Sequence, residues 1–237
     1  MPKTILLLAA TCAVSLVVLQ GAAADAPNVT CSGIFSGKAN DVTVAPGDFC
    51  ILDGAKINRD VIVNTDATLA AENTTIGRDL RATKPYIIAT GFGGGTPGPV
   101  KVGRDLIISG VDPGAAYYDI CDTNVRRDLR ITGTAVSGEI EVGDVGEACD
   151  SANSQPDTIG HDAVVAANKV GTYVDVGDDG VGHDLAVSTN VVPSGYIDVS
   201  DNTVGHNATC SYNNPSLSKD GGDDGPNDVG HKNMGCG

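Results

Sequence analysis

A five-residue pattern that recurs along the chain constrains the fold more than any other feature. Its first position is an aliphatic residue, its second is usually Gly and its third is a basic residue. Its fourth position is usually Asp, and its fifth is usually a second aliphatic residue. Repeats at intervals of roughly 20 to 50 residues indicate a solenoid, in which each repeat packs on its neighbours, and these copies recur at such intervals. The copies are Ile57–Val61, Ile76–Leu80, Val102–Leu106, Val125–Leu129, Ile159–Ala163, Val181–Leu185, Val204–Ala208 and Val229–Asn233.

The segments that follow the copies have the composition of short β-strands. Val61–Val63, Leu106–Ile108 and Val187–Thr189 are rich in β-branched or aliphatic residues, and Gly, Asn, Asp or Pro bound them. Beyond Ala24, no segment keeps the i, i+3, i+4, i+7 apolar spacing of a helix. The usual interval between copies is roughly 22 to 25 residues, which suits three short strands per coil. We therefore expect an all-β, right-handed parallel β-helix of about eight coils.

The longest interval between copies points to an insertion. It extends from Val125 to Ile159 and separates the fourth copy from the fifth. A weaker half-coil copy begins at Val136, and the same signal recurs at Val170 and Val192, each about half a coil after a full copy. The fourth coil is therefore expected to have ordinary length, with an insertion around 143–157.

The amino-acid composition agrees with a narrow aliphatic core and excludes two classes of partner. The chain has six Tyr, three Phe and no Trp, so Val, Ile, Leu and Ala must fill the interior. Its 30 acidic residues outnumber its 15 basic residues, giving a formal net charge of −15. A field of that sign repels phosphate backbones and anionic lipids. We therefore expect no binding to nucleic acid or to a membrane surface.

The beginning of the chain has the features of an export signal. Lys3 provides a positive start, Ile5–Leu19 is an uncharged apolar run, and Ala22–Ala24 offers a small-residue cleavage site. The run is shorter than the roughly 20 residues that a membrane-spanning helix needs, so a retained anchor is the weaker alternative. We predict a signal peptide at 1–24, one β-helix domain at 25–237, secretion to the extracellular side, and no membrane insertion after cleavage.

Six cysteines remain once the signal peptide is excluded, and we expect them to form disulfides. An even number in an exported chain is typical of disulfide bonding, although six cysteines allow 15 connectivities. Residues one coil apart in a β-helix lie about 4.8 Å apart, which falls within the Cα separation that a disulfide allows. Pairing neighbours in sequence would cap both ends of the stack and hold the insertion. The predicted pairs are Cys31–Cys50, Cys121–Cys149 and Cys210–Cys236.

The ends of the mature chain and the repeat together resemble a family of small exported bacterial proteins. The residues that carry the likeness are Cys31-Ser32-Gly33, Val42-Thr43-Val44, Gly47, Cys50, the Gly-(Arg/His)-Asp-Leu units, Cys210, Asn213, Pro215, Asn227-Asp228-Val229 and Cys236. That family has V-x-G-N-V repeats, whereas this chain has Arg or His in place of the Gly and Asp in place of the Asn. The resemblance implies a parallel β-helix and leaves the activity open. A more distant similarity to bactofilins, cytoplasmic β-helices that polymerise end to end, implies end-to-end self-association.

The basic and acidic residues of the pattern are the candidate functional groups. The basic residue is Arg in the first four copies and His in the last four. In a stacked solenoid they would form a row beside a row of Asp, where close carboxylates raise each other's pKa unless cations intervene. The first interpretation is that the basic row offsets the acidic row. The alternative is a divalent-cation or proton-responsive site, because imidazoles and carboxylates together bind such ions. Its candidate ligands are His161, His183, His206, Asp162 and Asp184.

Three functions fit these observations. The sequence favours an exported, non-enzymatic structural or surface-interaction protein, such as a cell-surface or matrix component, without a cofactor. The alternative is a cation- or ligand-binding solenoid that uses the rows of Asp and His. A carbohydrate-active enzyme is the third, since Asp178, Asp179 and His183 resemble the paired carboxylates and His of β-helical glycosidases. These three residues lie within one coil rather than on successive coils, so the enzyme rests on analogy of fold.

Overall fold

The architecture is known from a computed structural model, which describes residues 26–91, 98–112, 114–143, 149, 155–217 and 225–236. The predicted signal peptide lies outside the described residues. So do 144–148 and 150–154, which make up most of the predicted insertion.

The described chain consists of short β-strands joined by bends. In chain order the strands are β1 Val29–Cys31, β2 Gly33–Phe35, β3 Lys38–Ala39, β4 Val42–Val44, β5 Phe49–Asp53, β6 Lys56–Ile57, β7 Val61–Val63, β8 Thr68–Glu72, β9 Thr75–Ile76, β10 Leu80–Thr83, β11 Ile87–Thr90, β12 Val100–Val102, β13 Leu106–Ser109, β14 Tyr117–Ile120, β15 Thr123–Val125, β16 Leu129–Thr132, β17 Ala135–Val136, β18 Ile140–Val142, β19 Thr158–Ile159, β20 Ala163–Ala166, β21 Lys169–Val170, β22 Tyr173–Gly177, β23 Gly180–Val181, β24 Leu185–Ser188, β25 Tyr196–Ser200, β26 Thr203–Val204, β27 Asn207–Ser211, β28 Asp228–Val229 and β29 Lys232–Met234.

The strands form three long parallel sheets that share one stack of coils. The first sheet has ten strands in the order β1-β4-β7-β10-β13-β16-β20-β24-β27-β29. The second has eight, β2-β5-β8-β11-β14-β18-β22-β25, and the third has nine, β3-β6-β9-β12-β15-β19-β23-β26-β28. A fourth pair joins β17 to β21. Because each strand pairs with its counterparts in the coils before and after it, the predicted all-β, parallel β-solenoid is confirmed.

The number of coils differs slightly from the prediction. The stack makes about 7 turns, against the eight coils counted from the five-residue pattern. In the described chain the eighth copy, Val229–Asn233, is followed by no further strand of the second sheet. It therefore adds a strand to the first sheet without completing a coil. The described residues contain no helix that is long and apolar enough to cross a membrane.

A narrow aliphatic column fills the inside of the stack. Side chains alternate between the two faces of each strand, so every second residue points inward. Leu80, Leu106 and Leu129 occupy one register position on three successive coils and are fully buried. Burying such a side chain contributes about 1.5–3 kcal/mol each to folding. Tyr118 is the one aromatic residue among the largest fully buried side chains of the described residues, in agreement with the sparse aromatic content.

The glycine of the pattern is explained by close contact between successive coils. A Cβ atom at Gly103 would collide with the backbone carbonyl oxygen of Gly77, and one at Gly182 would collide with that of Gly160. The same collision recurs at equivalent glycines along the stack. The residue before the basic side chain is therefore usually glycine, although Asn58 and Arg126 occupy the equivalent position in two coils.

All three predicted disulfides are confirmed. The Cα atoms are 5.6 Å apart in the pair Cys31–Cys50, 5.4 Å in Cys121–Cys149 and 5.0 Å in Cys210–Cys236. The first bond joins the first two coils and the last joins the final two, so the coils at each end of the stack are linked covalently. The middle bond holds Cys149 of the insertion to the second sheet.

Candidate functional site

The basic and acidic residues of the pattern lie in one bend of each coil. The bend follows a third-sheet strand and precedes a first-sheet strand, as Gly77, Arg78 and Asp79 do between β9 and β10. Because the coils stack in register, equivalent bends lie directly above one another. The predicted rows of Arg, His and Asp are therefore formed along one corner of the solenoid.

The aspartates of this corner form a continuous hydrogen-bonded series, which we call the aspartate ladder. Oδ1 of each aspartate accepts a hydrogen bond from the backbone N–H of the next aspartate, at 3.2 to 3.4 Å. The last rung is the backbone N–H of Asn207, which donates to Asp184 at 3.0 Å. The members are Asp41, Asp60, Asp79, Asp105, Asp128, Asp162 and Asp184.

Each basic residue reaches back to the aspartate of the preceding coil. In the first half of the stack Arg104 lies 2.8 Å from Asp79, and the equivalent Arg–Asp pairs of the other coils lie at 3.4 Å. In the second half the base is an imidazole, and Nδ1 of His183 lies 3.0 Å from Oδ1 of Asp162. The equivalent distances from His161 and His206 are 3.2 and 2.8 Å. The carboxylates of these pairs thus receive both a backbone donor and a basic side chain from the next coil.

These donors determine how the ladder ionises. Burial opposes the charged form of Asp79, but hydrogen bonds from Arg104, from the backbone of Asp105 and from Arg81 outweigh it and lower its pKa. The pKa of Asp128 is lowered in the same way, against the effect of burial, chiefly by the hydrogen bond from Arg130. Asp79 and Asp128 are therefore held ionised, as expected if the basic row offsets the acidic row.

The same balance holds at the last aspartate of the ladder. Burial opposes the charged form of Asp184. Hydrogen bonds from His206 and from the backbone and side chain of Asn207 outweigh that effect and lower the pKa of Asp184. An imidazole can therefore take the part that arginine plays in the first half of the stack.

The four histidines form a second row, the histidine row, made of His161, His183, His206 and His231. Neighbouring rings are nearly parallel, with planes inclined by 7° to 13° and centroids separated by 4.7 to 5.1 Å. The side chains of the first three are 44% to 56% exposed, so one edge of each ring faces solvent. The sequence placed all four histidines at one repeat position, and the structure stacks them.

The five predicted metal ligands come together in two overlapping groups. One potential ligand atom from each of His161, Asp162 and His183 lies within 4.8 Å of the others, and the same holds for His183, Asp184 and His206. His231 was not among the predicted ligands, and the residue that pairs with it is Asn207 rather than an aspartate. In the structure His231 stacks on His206, and its Nδ1 lies 3.1 Å from the side-chain oxygen of that asparagine.

A second set of carboxylates lies on the second sheet, and the sequence analysis missed it. Successive strands β14, β18, β22 and β25 place these residues at one register position, and all are at most 4% exposed. The usable signal was an acid between two apolar residues in four strands, as in Ile140-Glu141-Val142. Alternation predicts that such acids point outward, and outward residues are normally solvated. This second carboxylate row consists of Asp119, Glu141, Asp175 and Asp198.

The environment of the second carboxylate row differs from one member to the next. Glu141 accepts a hydrogen bond from the backbone N–H of Cys149 at 2.7 Å and another from the hydroxyl of Tyr173 at 3.0 Å. Oδ1 of Asp119 is buried without a hydrogen-bond partner in the described chain. Burial, followed by the charges of Glu141 and Glu139, raises the pKa of Asp119 to about 8. This carboxyl group is therefore neutral over most of the physiological range.

The two halves of the chain also carry very different charge. Residues 26–130 contain 12 acidic and 11 basic residues, whereas residues 131–237 contain 17 acidic and 3 basic residues. The change from Arg to His in the pattern falls at the same boundary. Nearly all of the net negative charge, together with every histidine, therefore belongs to the second half of the chain.

Comparison with known proteins adds no relative. No protein-family model, no curated protein and no solved structure matches the chain. The resemblance to exported V-x-G-N-V repeat proteins and to bactofilins stays a prediction.

Proposed function

We propose that this protein is a secreted, non-enzymatic structural component that acts at a cell surface or in an extracellular matrix. The main support is the use of the polar side chains, because the ladder connects each coil to the next rather than forming a cleft. Each rung of the ladder joins one coil to its neighbour, and a disulfide links the two outermost coils at each end. Such a molecule gains stability from each interface between coils.

The proposed location outside the cell has two supports. Disulfides persist in oxidising compartments and are rare in the cytosol, and the described chain contains three. The predicted signal peptide agrees with that location. The high acidic content keeps such a protein soluble and gives it no electrostatic affinity for nucleic acid.

A catalytic role has weaker support. Asp179, one of the residues that suggested a glycosidase, is 1% exposed, so a sugar cannot reach it without a rearrangement of the coil. A shallow groove of about 390 Å³ runs along Ala135, Val136, Lys169, Val170 and neighbouring residues. The described residues that line it include neither a carboxylate nor a histidine. We therefore assign the protein neither a catalytic residue nor a cofactor.

End-to-end self-association follows from the same architecture. At the first coil β1, β2 and β3 each pair on one side only, and at the other end β25, β28 and β29 do the same in the described chain. Exposed strand edges are templates for further pairing, and both ends of a solenoid present the same parallel strand direction. A second copy of the chain is therefore the partner that fits these ends. Ile34, on β2, is 73% exposed beside one of them.

The location and the activity can be tested together. The protein should be recovered from the medium or the cell envelope with its six mature cysteines oxidised, and purified protein should release no sugar from a panel of polysaccharides. Recovery from the cytosol with free thiols would contradict the proposed location. Polysaccharide cleavage that disappears in the His183→Arg or Asp179→Asn variant would contradict the non-enzymatic role.

Self-association has its own test. Sedimentation velocity over a hundredfold range of concentration should show growing species for the natural protein. Ile34→Lys places a charge at the end of the stack and should abolish them. Ile62→Lys is the matched control, because Ile62 is exposed on β7 in the side of the stack. Equal association of both variants would rule out assembly through the ends.

A further inference from the structure

We propose that the histidine row binds divalent transition-metal ions of the Zn²⁺, Ni²⁺ and Cu²⁺ class through the Nε2 atoms of neighbouring imidazoles, with the ladder aspartates orienting the rings. The proposed structural role does not depend on this binding, so either proposal can fail alone.

The contacts with the aspartate ladder decide which imidazole nitrogen of the histidine row is available to a metal ion. Nδ1 of His183 lies 3.0 Å from Oδ1 of Asp162, and Nδ1 of His206 lies 2.8 Å from Oδ1 of Asp184. An ionised carboxylate only accepts hydrogen bonds, so Nδ1 must carry the proton. At His206 the side-chain amide of Asn207 donates to the same oxygen of Asp184, and its nitrogen also lies 2.7 Å from Nδ1, a contact in which Nδ1 accepts in the opposite tautomer. The contacts therefore assign the Nδ1–H form most directly at His183.

This tautomer leaves the other nitrogen available to a metal. In a neutral imidazole that carries its proton on Nδ1, Nε2 keeps its lone pair. A histidine that donates its other N–H to a carboxylate is the usual arrangement around protein-bound metals. The ladder aspartates therefore hold the rings of the histidine row in the form that binds metal through Nε2.

The spacing between neighbouring rings of the histidine row is close to the spacing that two metal-bound imidazoles need. Zinc–nitrogen bonds of 2.0–2.1 Å place two imidazole nitrogens of a tetrahedral site about 3.3 Å apart. The centroids of His183 and His206 are 4.7 Å apart, the shortest spacing in the row. The exposed edges of the rings must therefore approach each other by somewhat more than ~1 Å. Because the ring planes are inclined by only 13°, the Nε2 lone pairs are nearly parallel, so binding one ion also requires the rings to turn toward each other. The two side chains are 44% and 45% exposed, and solvent rather than protein borders their outer edges.

The ligand atoms of the histidine row determine which class of metal ion can bind. Imidazole suits Zn²⁺, Ni²⁺ and Cu²⁺, whereas Ca²⁺ and Mg²⁺ prefer oxygen ligands. Oδ1 of Asp162, one of the oxygens that could attract Ca²⁺, already accepts from both His183 and the backbone of Asp184. The excess of acidic residues in 131–237 attracts cations in general, but every histidine of the chain belongs to the histidine row. The geometry therefore selects transition metals rather than calcium.

The first half of the ladder supplies a natural control. Arg127 occupies the repeat position of the histidines and pairs with Asp105 at 3.4 Å, so the fold accepts arginine there. The double variant His183→Arg/His206→Arg should keep the ladder and remove the central pair of imidazoles. His231→Arg changes the exposed end of the row and leaves that pair intact.

The proposal can be tested by isothermal titration of tag-free protein with ZnCl₂, NiCl₂ and CaCl₂. At pH 7.5 we expect zinc and nickel to bind and calcium to give no histidine-dependent heat. The double variant should lose at least tenfold in zinc affinity, while His231→Arg should lose less than threefold. Lowering the pH to 5.5 should weaken zinc binding at least tenfold, because protonated imidazole cannot coordinate a metal. Melting curves of all variants without metal would establish that the fold is retained.

A second readout identifies the ligand atom. In ¹⁵N spectra of the imidazole side chains, the metal-free protein should show the Nδ1–H tautomer for His161, His183 and His206. Zinc should then shift Nε2 of His183 and His206. The proposal is overturned if natural protein and double variant bind zinc equally, if neither binds it at millimolar concentration, or if the Nε2 signals do not move.

Discussion

Two rows of acidic residues run along this solenoid with the same coil-to-coil spacing, yet the pKa is lowered at three members of one row and raised at a member of the other. In the aspartate ladder the pKa of Asp79, Asp128 and Asp184 is lowered. In the second carboxylate row the pKa of Asp119 is raised to about 8. Spacing alone therefore does not decide the charge of a stacked acid.

The difference lies in the donors that each bend or strand supplies. A ladder aspartate sits in a bend, where the backbone N–H of the next coil points at it and a basic side chain follows directly. Asp119 sits within β14, where the backbone groups are used by the parallel sheet. Its neighbour in register is another acid, so burial and repulsion act without compensation. The bends supply hydrogen-bond donors that stabilise the charged carboxylates, whereas β14 supplies no such donor to Asp119.

The largest effect is expected from removing a fully compensated acid. Asp79 is 1% exposed and accepts hydrogen bonds from Arg104, Arg81 and the backbone of Asp105. Asp79→Ala leaves these donors without an acceptor and should lower the free energy of unfolding by about 3 kcal/mol. Urea denaturation at pH 7 measures this, and Asp53→Ala on an exposed position should cost less than about 0.5 kcal/mol. Equal costs would show that the ladder does not stabilise the stack.

The pH dependence of Asp79 has a defined sign. Its pKa is lower in the folded state than in the unfolded chain, so its contribution is present above the usual aspartate pKa of about 4. That contribution is lost as the pH falls through the lowered folded-state pKa. The difference in stability between natural protein and the Asp79→Ala variant should therefore shrink below about pH 4.

The second prediction concerns the uncompensated acid and has the opposite sign. Asp119 has a higher pKa in the folded state, so the stability of the natural protein should fall as the pH rises from about 4 to about 8. Asp119→Asn stays neutral and should raise the free energy of unfolding at pH 8 by on the order of 2 kcal/mol. Denaturation at pH 4 and pH 8 separates the two proteins, with Asp53→Asn as control. A variant that is less stable at pH 8 would show that Asp119 is compensated after all.

A smaller effect is expected at the exposed end of the ladder. Asp184 has a side chain that is 40% exposed, and it accepts from His206 and from Asn207. Water can replace these partners in part, so Asp184→Ala should cost about 1 kcal/mol. Comparison with Asp79→Ala under identical conditions tests whether burial sets the strength of each rung. A larger loss at Asp184 than at Asp79 would show that burial does not set the strength of a rung.

The smallest effect is expected from exchanging one base for the other. His183→Arg reproduces the pairing that Arg127 makes with Asp105, and exposed ion pairs contribute little. Its unfolding free energy should stay within about 0.5 kcal/mol of the natural value. A loss above about 2 kcal/mol would mean that stacking of the imidazoles, rather than pairing with aspartate, stabilises the second half.

Much of the fold could be predicted because a solenoid converts sequence spacing directly into spatial neighbours. One-coil separations predicted the three disulfides and the stacking of Asp and His. The reach of each base to the preceding aspartate could not be predicted, since it depends on the direction in which the side chain leaves the bend. The burial of Glu141 was also missed, because its contact with Cys149 comes from an insertion that does not repeat. The final coil was overcounted because a copy of the pattern does not guarantee three strands.

The most direct test of these contrasting rows is a ¹³C titration of the carboxyl groups by NMR between pH 2 and pH 10. The structure predicts that Asp79, Asp128 and Asp184 titrate below the usual aspartate value of about 3.9, and that Asp119 titrates near 8. If Asp119 lost its proton together with the ladder aspartates, the account of donor-supplied compensation would be contradicted.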